Sequence, residues 1–290
     1  MDSVPNVFIE RVTGILPDHI LGVLRRGGAI LGRWASAHSA YTSVWLHITI
    51  RDGTKVFRCC TAGRLIGFKD VLASWNNATC YFEAVNFIES PWEEFQPMSD
   101  SHFDTVKKMI ARQRRRICSV DIQECVGELL ENVADILKVC GGVEKLTMRT
   151  DIAPIEPIVK KLISDGGVRR FYMRGKPFSD WLVSTLNTQL HAGNLIYIEL
   201  SLIGDDDEFC ESLVRMAMSH ILKQEHKYYS LSHPTEYVHL HRPLQEELKY
   251  LSSKATSYGI HYSHPEDHTK VTWTVDDIFF IYSWKKNMHY

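Results

Sequence analysis

The apolar residues of this chain form a helix–strand pattern that recurs after residue 120. Three stretches with apolar residues three and four positions apart predict amphipathic helices: 122–137, 155–163 and 178–190. Each stretch ends at a glycine-containing pair, which is a signal for the end of a helix: 141–142, 166–167 and 193–194. A segment with strand-like apolar places follows each pair: 143–149, 168–174 and 195–200.

The first glycines of these pairs, Gly141, Gly166 and Gly193, are spaced 25 and 27 residues apart. One helix and one strand per period is typical of leucine-rich-repeat-like proteins, whose stacked units align their strands in a parallel sheet. Asn194 replaces the second glycine of its pair, and Asn also tolerates the left-handed cap conformation. The pattern therefore predicts an α/β fold of leucine-rich-repeat-like helix–strand repeats.

The segments outside these repeats predict a hairpin before them and a hairpin after them. A strand at 44–50, an Asp52-Gly53 turn and a return strand at 55–60 form the first hairpin. Further predicted elements are a helix at 68–74, a strand at 80–88, a loop at 90–100, helices at 209–221 and from 243, a strand at 228–231, and a closing hairpin at 270–274 and 278–283. The predicted regions are a helical N-terminus at 1–42, a hairpin-containing α+β region at 43–100 and an α/β repeat region at 101–290.

Composition and charge are those of a folded, soluble protein. Of the 290 residues, 44% are apolar and 23% are charged, with 33 Lys and Arg against 35 Asp and Glu. This balance excludes collagen-like, coiled-coil and disordered classes. No apolar run approaches the roughly 18 residues of a membrane span, and the N-terminus lacks the pattern of a secretion signal. Because the seven Cys form no Cys-x-x-Cys pair, we expect a reducing compartment, the cytoplasm, with the nucleus as the alternative.

Motifs for catalysis and for metal binding are missing from the sequence. A Gly-x-Ser-x-Gly motif, Cys-His pairs and Gly-rich phosphate loops are absent. Nine of the fourteen His lie from His220 onward, but their spacing fits no zinc signature. We therefore expect a non-enzymatic protein with no metal and no other cofactor.

The basic run at 107–116 is the one cluster with the charge expected for nucleic-acid binding. It contains no interleaved aromatic residues, and the formal net charge of the chain is −2. A solvated helix that connects two regions is therefore the favoured interpretation, and a nucleic-acid site is the alternative.

Aromatic and Arg residues on the predicted repeat strands are the candidates for binding a protein target. Tyr, Trp and Arg anchor protein interfaces more often than other residues do. The predicted target-binding residues are Arg149, Arg170, Tyr172, Arg174 and Tyr197. The alternative is that such residues are ordinary core and rim positions.

The chain resembles the nematode family of F-box and F-box-associated proteins. Residues 1–10, Met-Asp-Ser-Val-Pro-Asn-Val-Phe-Ile-Glu, are similar to the start of these chains, which is often Met-Asp-x-Val-Pro followed by Phe and an aliphatic residue. The region of Trp34 resembles the third helix of an F-box. The hairpin at 45–60 and the blocks Val168-Arg169-Arg170-Phe171 and Lys270-Val271-Thr272-Trp273 resemble the associated region. An F-box usually begins with Leu-Pro and is longer than the N-terminal segment of this chain. Val4-Pro5 takes the place of Leu-Pro here.

The resemblance implies a substrate-recruiting adaptor of a cullin–RING ubiquitin ligase. Its partners would be a Skp-type adaptor protein, bound by the N-terminal helices, and an unknown protein target, bound by the repeats. The adaptor-binding residues carried over are Val4, Pro5, Phe8, Ile9 and Val12. Neither a membrane nor a homo-oligomer is predicted. Two alternatives stay open: a stand-alone repeat scaffold whose N-terminal stripe packs on its own hairpin, and a nucleic-acid-binding protein that uses the run at 107–116.

Overall fold

A computed structural model describes most of the chain between residues 42 and 202 and selected segments elsewhere. The described residues are 42–76, 80–88, 94–113, 115–123, 125–149, 153–175, 181–195 and 197–202, with the single positions Ile9, Val12, Glu208, Ser212, Arg215 and Met216 and the strands at 228–234, 252–256, 259–263, 270–275 and 279–285. The chain divides into two compact units, Met1–Glu144 and Lys145–Tyr290. The predicted boundaries after residues 42 and 100 stay predictions.

The first unit is a mixed sheet with helices between its strands. Its described strands are β1 (Thr42–Arg51), β2 (Thr54–Thr61), β3 (Arg64–Ile66), β4 (Cys80–Phe87), β5 (Gln96–Pro97) and β6 (Ile117–Gln123). Its described helices are α1 (Phe68–Asn76), α2 (Asp100–Arg112) and α3 (Glu128–Val139). The strand order is β6-β4-β1-β2-β3, with β5 beside β2. Strands β1, β4 and β6 run parallel, and β2 and β3 continue the sheet antiparallel.

The first predicted hairpin is confirmed as β1 and β2. Asp52 and Gly53 both have positive φ, 51° and 70°, as a two-residue hairpin turn requires. In β1 the side chains of Val44, Leu46 and Ile48 are buried at alternate places, because successive strand residues point to opposite faces. The predicted helix at 68–74 and strand at 80–88 are confirmed by α1 and β4. The loop predicted at 90–100 instead contains the short strand β5 and the start of α2.

The helix predicted at 122–137 begins only at Glu128, so its first part was assigned wrongly. Ile122 belongs to β6, where it is buried together with Val120 at a spacing of two. Val126 is 71% exposed, and Gly127 has a φ of 53° at the residue before the helix. A short apolar run is compatible with the residue spacing of a helix and with that of a strand. The strand forms here because Ala84–Phe87 of β4 pairs with β6.

The second unit contains the predicted alternation of helices and strands. Its described elements are β7 (Val143–Arg149, which begins two residues before the unit), a 3₁₀ turn (Ala153–Ile155), α4 (Glu156–Ser164), β8 (Val168–Gly175), α5 (Trp181–His191), β9 (Tyr197–Leu202), β10 (Tyr228–Pro234), β11 (Ser252–Thr256), β12 (Gly259–Ser263), β13 (Lys270–Val275) and β14 (Phe279–Lys285). The strand order is β7-β8-β9-β10-β14-β13-β12-β11. Strands β8, β9 and β10 run parallel, and the strands after β10 pair antiparallel.

These elements confirm the coarse fold class, a mixed α/β fold with parallel strands and five helices in the described part of the chain. The strands after the three glycine motifs begin at residues 143, 168 and 197. The closing hairpin is confirmed by β13 and β14, and β14 pairs with β10. Only three positions of the predicted helix at 209–221 are described, and the helix from residue 243 lies outside the described residues. No helix among the described residues is long and apolar enough to cross a membrane.

The turns after α4 and α5 are joined by side chains. Gly166 and Gly193 take the left-handed conformation, with φ of 70° and 75°. In the turn at 193–194, Gly193 and not Asn194 therefore takes this conformation. Asn194 instead donates from Nδ2 to Oε1 of Gln189 over 2.9 Å, and Gln189 donates from Nε2 to the carbonyl oxygen of Ser164 over 2.7 Å. A Cβ on Gly166 would lie 2.8 Å from Nδ2 of Asn194. Gly166 is therefore favoured for its φ, and a larger residue there would also displace the Asn194 amide.

Candidate functional site

One face of strands β7, β8 and β9 carries a cluster of tyrosines and cations in the second unit. Along β8 and β9 the side chains of Phe171, Met173 and Ile198 are buried in the core. The alternating positions therefore point to the opposite face of the sheet. We call the cluster on that face the tyrosine–cation row: Lys145, Arg149, Arg170, Tyr172 and Tyr197. Arg149 is exposed, and the other four side chains are half-buried.

The two tyrosines of the row stack on each other. The ring centroids of Tyr172 and Tyr197 are 4.7 Å apart, with 26° between the ring planes. Nζ of Lys145 lies 4.3 Å from the centroid of the Tyr172 ring. Because β8 lies between β7 and β9, Lys145 and Tyr197 reach the Tyr172 ring from opposite sides. The Tyr172 ring is therefore held between a cation and a second aromatic ring.

The strand register brings further members of the row together. Arg170 is in register with Tyr197, and Tyr197 is in register with Tyr228 of β10. Tyr172 is in register with Glu199. Aromatic pairs of this geometry contribute about 0.5–1.5 kcal/mol, and a half-exposed cation over a ring contributes about 0.5–1 kcal/mol. The row is thus ordered by contacts within the unit, which lowers the entropy lost when a partner binds.

Three of the five predicted target-binding residues, Arg170, Tyr172 and Tyr197, meet in this cluster. Arg149 follows Lys145 at an alternating place of β7, at its last residue. Arg174 belongs to β8, but its side chain is outside the described residues. Lys145 was not among the predicted target-binding residues. When the repeats are aligned at their glycine pairs, Lys145 occupies the position equivalent to Arg170. That alignment is the signal that would have identified it.

The predicted adaptor-binding residues are described only in part. Ile9 and Val12 are helical; Ile9 is 1% exposed and Val12 is half-buried. Val4, Pro5 and Phe8 lie outside the described residues. The Ile9 side chain is therefore not at the surface of the folded chain.

The basic run at 107–116 is divided among different environments. Lys107 forms ion pairs with Asp104 at 2.9 Å and with Asp135 of α3 at 3.2 Å. The hydrogen bond to Asp104 raises the pKa of Lys107. The guanidinium of Arg115 lies 4.5 Å from the centre of the Tyr81 ring. Exposed cations of the run are Lys108, Arg112 and Arg116, and Arg114 lies outside the described residues.

A second row of polar residues crosses the sheet of the first unit. Arg58, His47, Asn86 and Asp121 are in register on four neighbouring strands. We call them the His47 row. Nδ2 of Asn86 lies 3.4 Å from Nδ1 of His47, and Nε2 of Gln123 donates to Oδ2 of Asp121 over 2.7 Å. Burial lowers the pKa of His47, and the charge of Arg58 lowers it further. The imidazole is therefore neutral at pH 7.

The described residues offer little for nucleophilic or metal chemistry. Burial and then the neighbouring thiols of Cys60 and Cys80 raise the pKa of Cys59 to about 12. Burial raises the pKa of Cys80 to about 11, so both thiols stay protonated at neutral pH. No group of three or more His, Cys, Asp and Glu in the described part of the chain could hold a metal ion. Seven of the nine His from His220 onward lie outside that part.

The fold and the row together define an α/β protein whose second unit carries a cationic, aromatic sheet face. Comparisons with protein-family models, with curated proteins and with solved structures found no match.

Proposed function

We propose that this chain is a non-enzymatic protein-interaction module that recruits a protein target through the tyrosine–cation row. The stack of Tyr172 on Tyr197, with Lys145 over the Tyr172 ring, is the observation that carries this proposal. Interface energy is concentrated in a few ordered aromatic and Arg side chains, and such residues cluster here on one sheet face. The target-binding residues of the proposal are Arg149, Arg170, Tyr172, Arg174 and Tyr197, joined by Lys145.

The proposed architecture of the binding region is a leucine-rich-repeat-like stack. Strands β7, β8, β9 and β10 are neighbours in chain order, with a helix between β7 and β8 and between β8 and β9. Gly166 and Gly193 share the same backbone conformation in consecutive turns. Gln189 and Asn194 join those turns, as side-chain amides can do when similar units stack.

We further propose that the chain is a substrate-recruiting adaptor of a cullin–RING ubiquitin ligase. The resemblance of residues 1–10 to F-box chains supports this role, with the Skp-type adaptor bound by Val4, Pro5, Phe8, Ile9 and Val12. Since Ile9 is buried, adaptor binding at this segment requires either that Phe8 and its neighbours make the contact or that Ile9 leaves its present site.

A pull-down with a purified Skp-type adaptor tests the ligase role. The full chain should retain the adaptor, and Phe8→Asp should abolish retention because it places a charge in an apolar contact. Lys108→Asp, an exposed change on α2, is the matched control and should bind as the full chain does. Circular dichroism checks that each variant is folded. Equal retention of the adaptor by both variants, or no retention by the unaltered chain, would contradict the ligase role.

The second candidate function is a stand-alone repeat scaffold without a ligase role. The burial of Ile9 favours it, because a stripe packed on its own chain is not available to an adaptor. Its signature would be partner binding that depends on the tyrosine–cation row while adaptor binding is absent. A nucleic-acid role of the run at 107–116 would instead give salt-dependent binding that is lost when Arg112, Arg114, Arg115 and Arg116 are neutralised.

A further inference from the structure

Two exposed apolar side chains lie together near one end of the sheet in the first unit. Trp45, Cys60 and Leu65 are in register on β1, β2 and β3, so their side chains lie on the same face. Trp45 is 48% exposed and Leu65 is 46% exposed, whereas Cys59, on the opposite face, is buried. We call Trp45, Cys60 and Leu65 the Trp45 patch. Nε1 of Trp45 donates to Oε2 of Glu83 over 3.0 Å, which orients the indole before a partner binds.

The patch ends at the edge strand β3. In the described part of the chain, β3 is the last strand at this end of the sheet, and no strand pairs with its outer edge. Ala62 and Gly63 form the turn between β2 and β3, with positive φ of 46° and 78°. A two-residue turn of this kind is flanked by a pair that exchanges backbone hydrogen bonds, here Thr61 and Arg64. The next residue, Leu65, therefore directs its backbone N–H and carbonyl to the outer edge.

A cavity of about 120 Å³ adjoins the end of β3. It lies in a gap between the two edge strands, because β3 pairs with β2 from Cys59 onward and β5 pairs with β2 only up to Phe57. Its lining residues come from β2, from β3 and from the start of β5 and the residues before it, among them Phe57, Arg58, Leu65, Ile66, Glu94 and Gln96. A segment that runs along the outer edge of β3 and extends beyond Ile66 can place a side chain in this cavity.

The residues of β3 indicate what an added segment should carry. In antiparallel pairing through Leu65, the residue opposite Leu65 has its side chain on the face of the Trp45 patch, where an apolar side chain fits. The following residue lies opposite Arg64, which is exposed and makes no ion pair among the described residues. An acid suits that position, because opposite charges across neighbouring strands attract. A second copy of this chain, paired through Leu65, would instead place Ile66 opposite Arg64 and leave the charge unmatched.

We propose that the outer edge of β3 binds an extended segment of a protein partner by strand addition, with an apolar residue on the Trp45 patch and an acidic residue beside Arg64. The backbone N–H and carbonyl of Leu65 would form two hydrogen bonds with the apolar residue of the segment. The residue before it would lie opposite Ile66, next to the cavity. This surface belongs to the first unit, so the inference goes beyond the proposed function and does not depend on the tyrosine–cation row.

Peptide binding to the full chain tests whether a strand is added. A fluorescent nine-residue peptide, Ser-Thr-Thr-Val-Leu-Glu-Thr-Thr-Ser, is titrated with the chain while its anisotropy is measured. Because one strand residue offers two backbone bonds, we expect weak binding, with a Kd below about 1 mM. N-methylation of the peptide Leu removes the N–H that would bond to the Leu65 carbonyl and should abolish binding. N-methylation of the peptide Glu is the matched control, since that N–H points away from β3 and its loss should leave binding in place.

Variants of the chain test the side-chain contacts. Leu65→Ser should weaken binding of this peptide by roughly tenfold, because it removes the apolar contact. Val126→Ser is the matched control, since Val126 is also an exposed apolar residue but lies before α3. Arg64→Glu should weaken binding by roughly three- to tenfold, and a peptide with Lys in place of Glu should bind Arg64→Glu more tightly than it binds the unaltered chain. Circular dichroism checks that each variant is folded.

The outcomes decide between strand addition and its alternatives. Loss of binding with N-methylated Leu but not with N-methylated Glu, together with the charge reversal at Arg64, supports the inference. Equal binding of the two N-methylated peptides would show that no strand is added and would overturn it. Self-association that Leu65→Ser abolishes, without peptide binding, would identify a second copy as the occupant and overturn it too. Absence of binding to the unaltered chain up to about 1 mM peptide would also contradict it. Tyr172→Ala should bind the peptide normally, so failure here leaves the proposed function untouched.

Discussion

The two units build similar parallel strands but place different side chains across them. The His47 row of the first unit contains a cation, a neutral imidazole, an amide and a carboxylate: Arg58, His47, Asn86 and Asp121. Its charges are balanced, and Arg58 also lies 4.0 Å from Glu94. The tyrosine–cation row of the second unit has three cations and two stacked rings. Both rows lie across strands and outside the main apolar core.

This difference in side chains is the basis for expecting different roles of the two rows. In the His47 row, contacts such as Asn86 with His47 and Gln123 with Asp121 use hydrogen-bonding capacity within the unit. Such a network stabilises and orients its own strands. In the tyrosine–cation row the contacts order two rings and a cation, all three of them half-buried. We therefore expect the His47 row to stabilise its own unit, and of these two rows we propose partner binding only for the tyrosine–cation row.

The largest expected effect is a loss of stability when a side chain on the buried face of β8 is removed. The loss should be smaller on the opposite face of β8, where the tyrosine–cation row lies. Phe171 is 0% exposed, and Phe171→Ala should lower the free energy of unfolding by about 3–5 kcal/mol because it leaves a cavity. The neighbouring change Tyr172→Ala removes a half-buried ring and should cost clearly less stability while it abolishes target binding. Chemical denaturation measures both values. Equal losses of stability would mean that Tyr172 is a core residue and not part of a binding face.

A smaller effect is expected from the His47 row. Asn86→Ala removes the amide that lies 3.4 Å from Nδ1 of His47 and should lower the free energy of unfolding by about 0.5–1.5 kcal/mol, the usual net contribution of one hydrogen bond. Gln96→Ala, an exposed polar change on β5, is the control and should be nearly neutral. Binding of the proposed protein target should be unaffected by both variants. A loss of binding in Asn86→Ala with unchanged stability would give the His47 row a binding role.

A weaker coupling is expected between Lys145 and Tyr172. A double-mutant cycle with Lys145→Met and Tyr172→Leu should give a coupling energy of about 0.5–1 kcal/mol, the range for a partly exposed cation over a ring. A cycle of Lys160→Met with Tyr172→Leu is the control, because Lys160 lies near Trp181 instead. A coupling indistinguishable from that control would show that Lys145 does not hold the ring.

The smallest effect is a pH dependence that belongs to the His47 row. Burial, helped by Arg58, lowers the pKa of His47 below its ordinary value of 6.5, so the unfolded chain binds the proton more readily. The stability contributed by neutral His47 is complete above pH 6.5 and is lost as the pH falls from there through the folded pKa. His47→Gln should flatten this slope in melting experiments from pH 7.5 to 5.5, whereas His191→Gln should retain it. An identical slope in all three chains would contradict this assignment.

Local patterns in the sequence were sufficient for most elements of both units. The positions of α4, α5, β8 and the first hairpin follow from apolar spacing and from turn residues such as Asp52-Gly53. These signals depend on neighbours within a few residues, so they can be interpreted without the rest of the chain. They failed at Ile122, where a short apolar run fits a helix and a strand equally and the pairing with β4 decided between them.

The sequence by itself therefore determined the helix–strand alternation, the glycine turns and the residue types that a binding face would use. Only the tertiary structure decided which of those residues meet. The order β6-β4-β1-β2 assembles the His47 row from four segments of the chain, and the order β7-β8-β9 places Lys145 and Tyr197 on opposite sides of Tyr172. Strand order and register arise from long-range pairing and burial, which leave no periodic signal in any one segment. For that reason the stack of Tyr172 on Tyr197, with Lys145 beside the Tyr172 ring, became visible only in the folded chain.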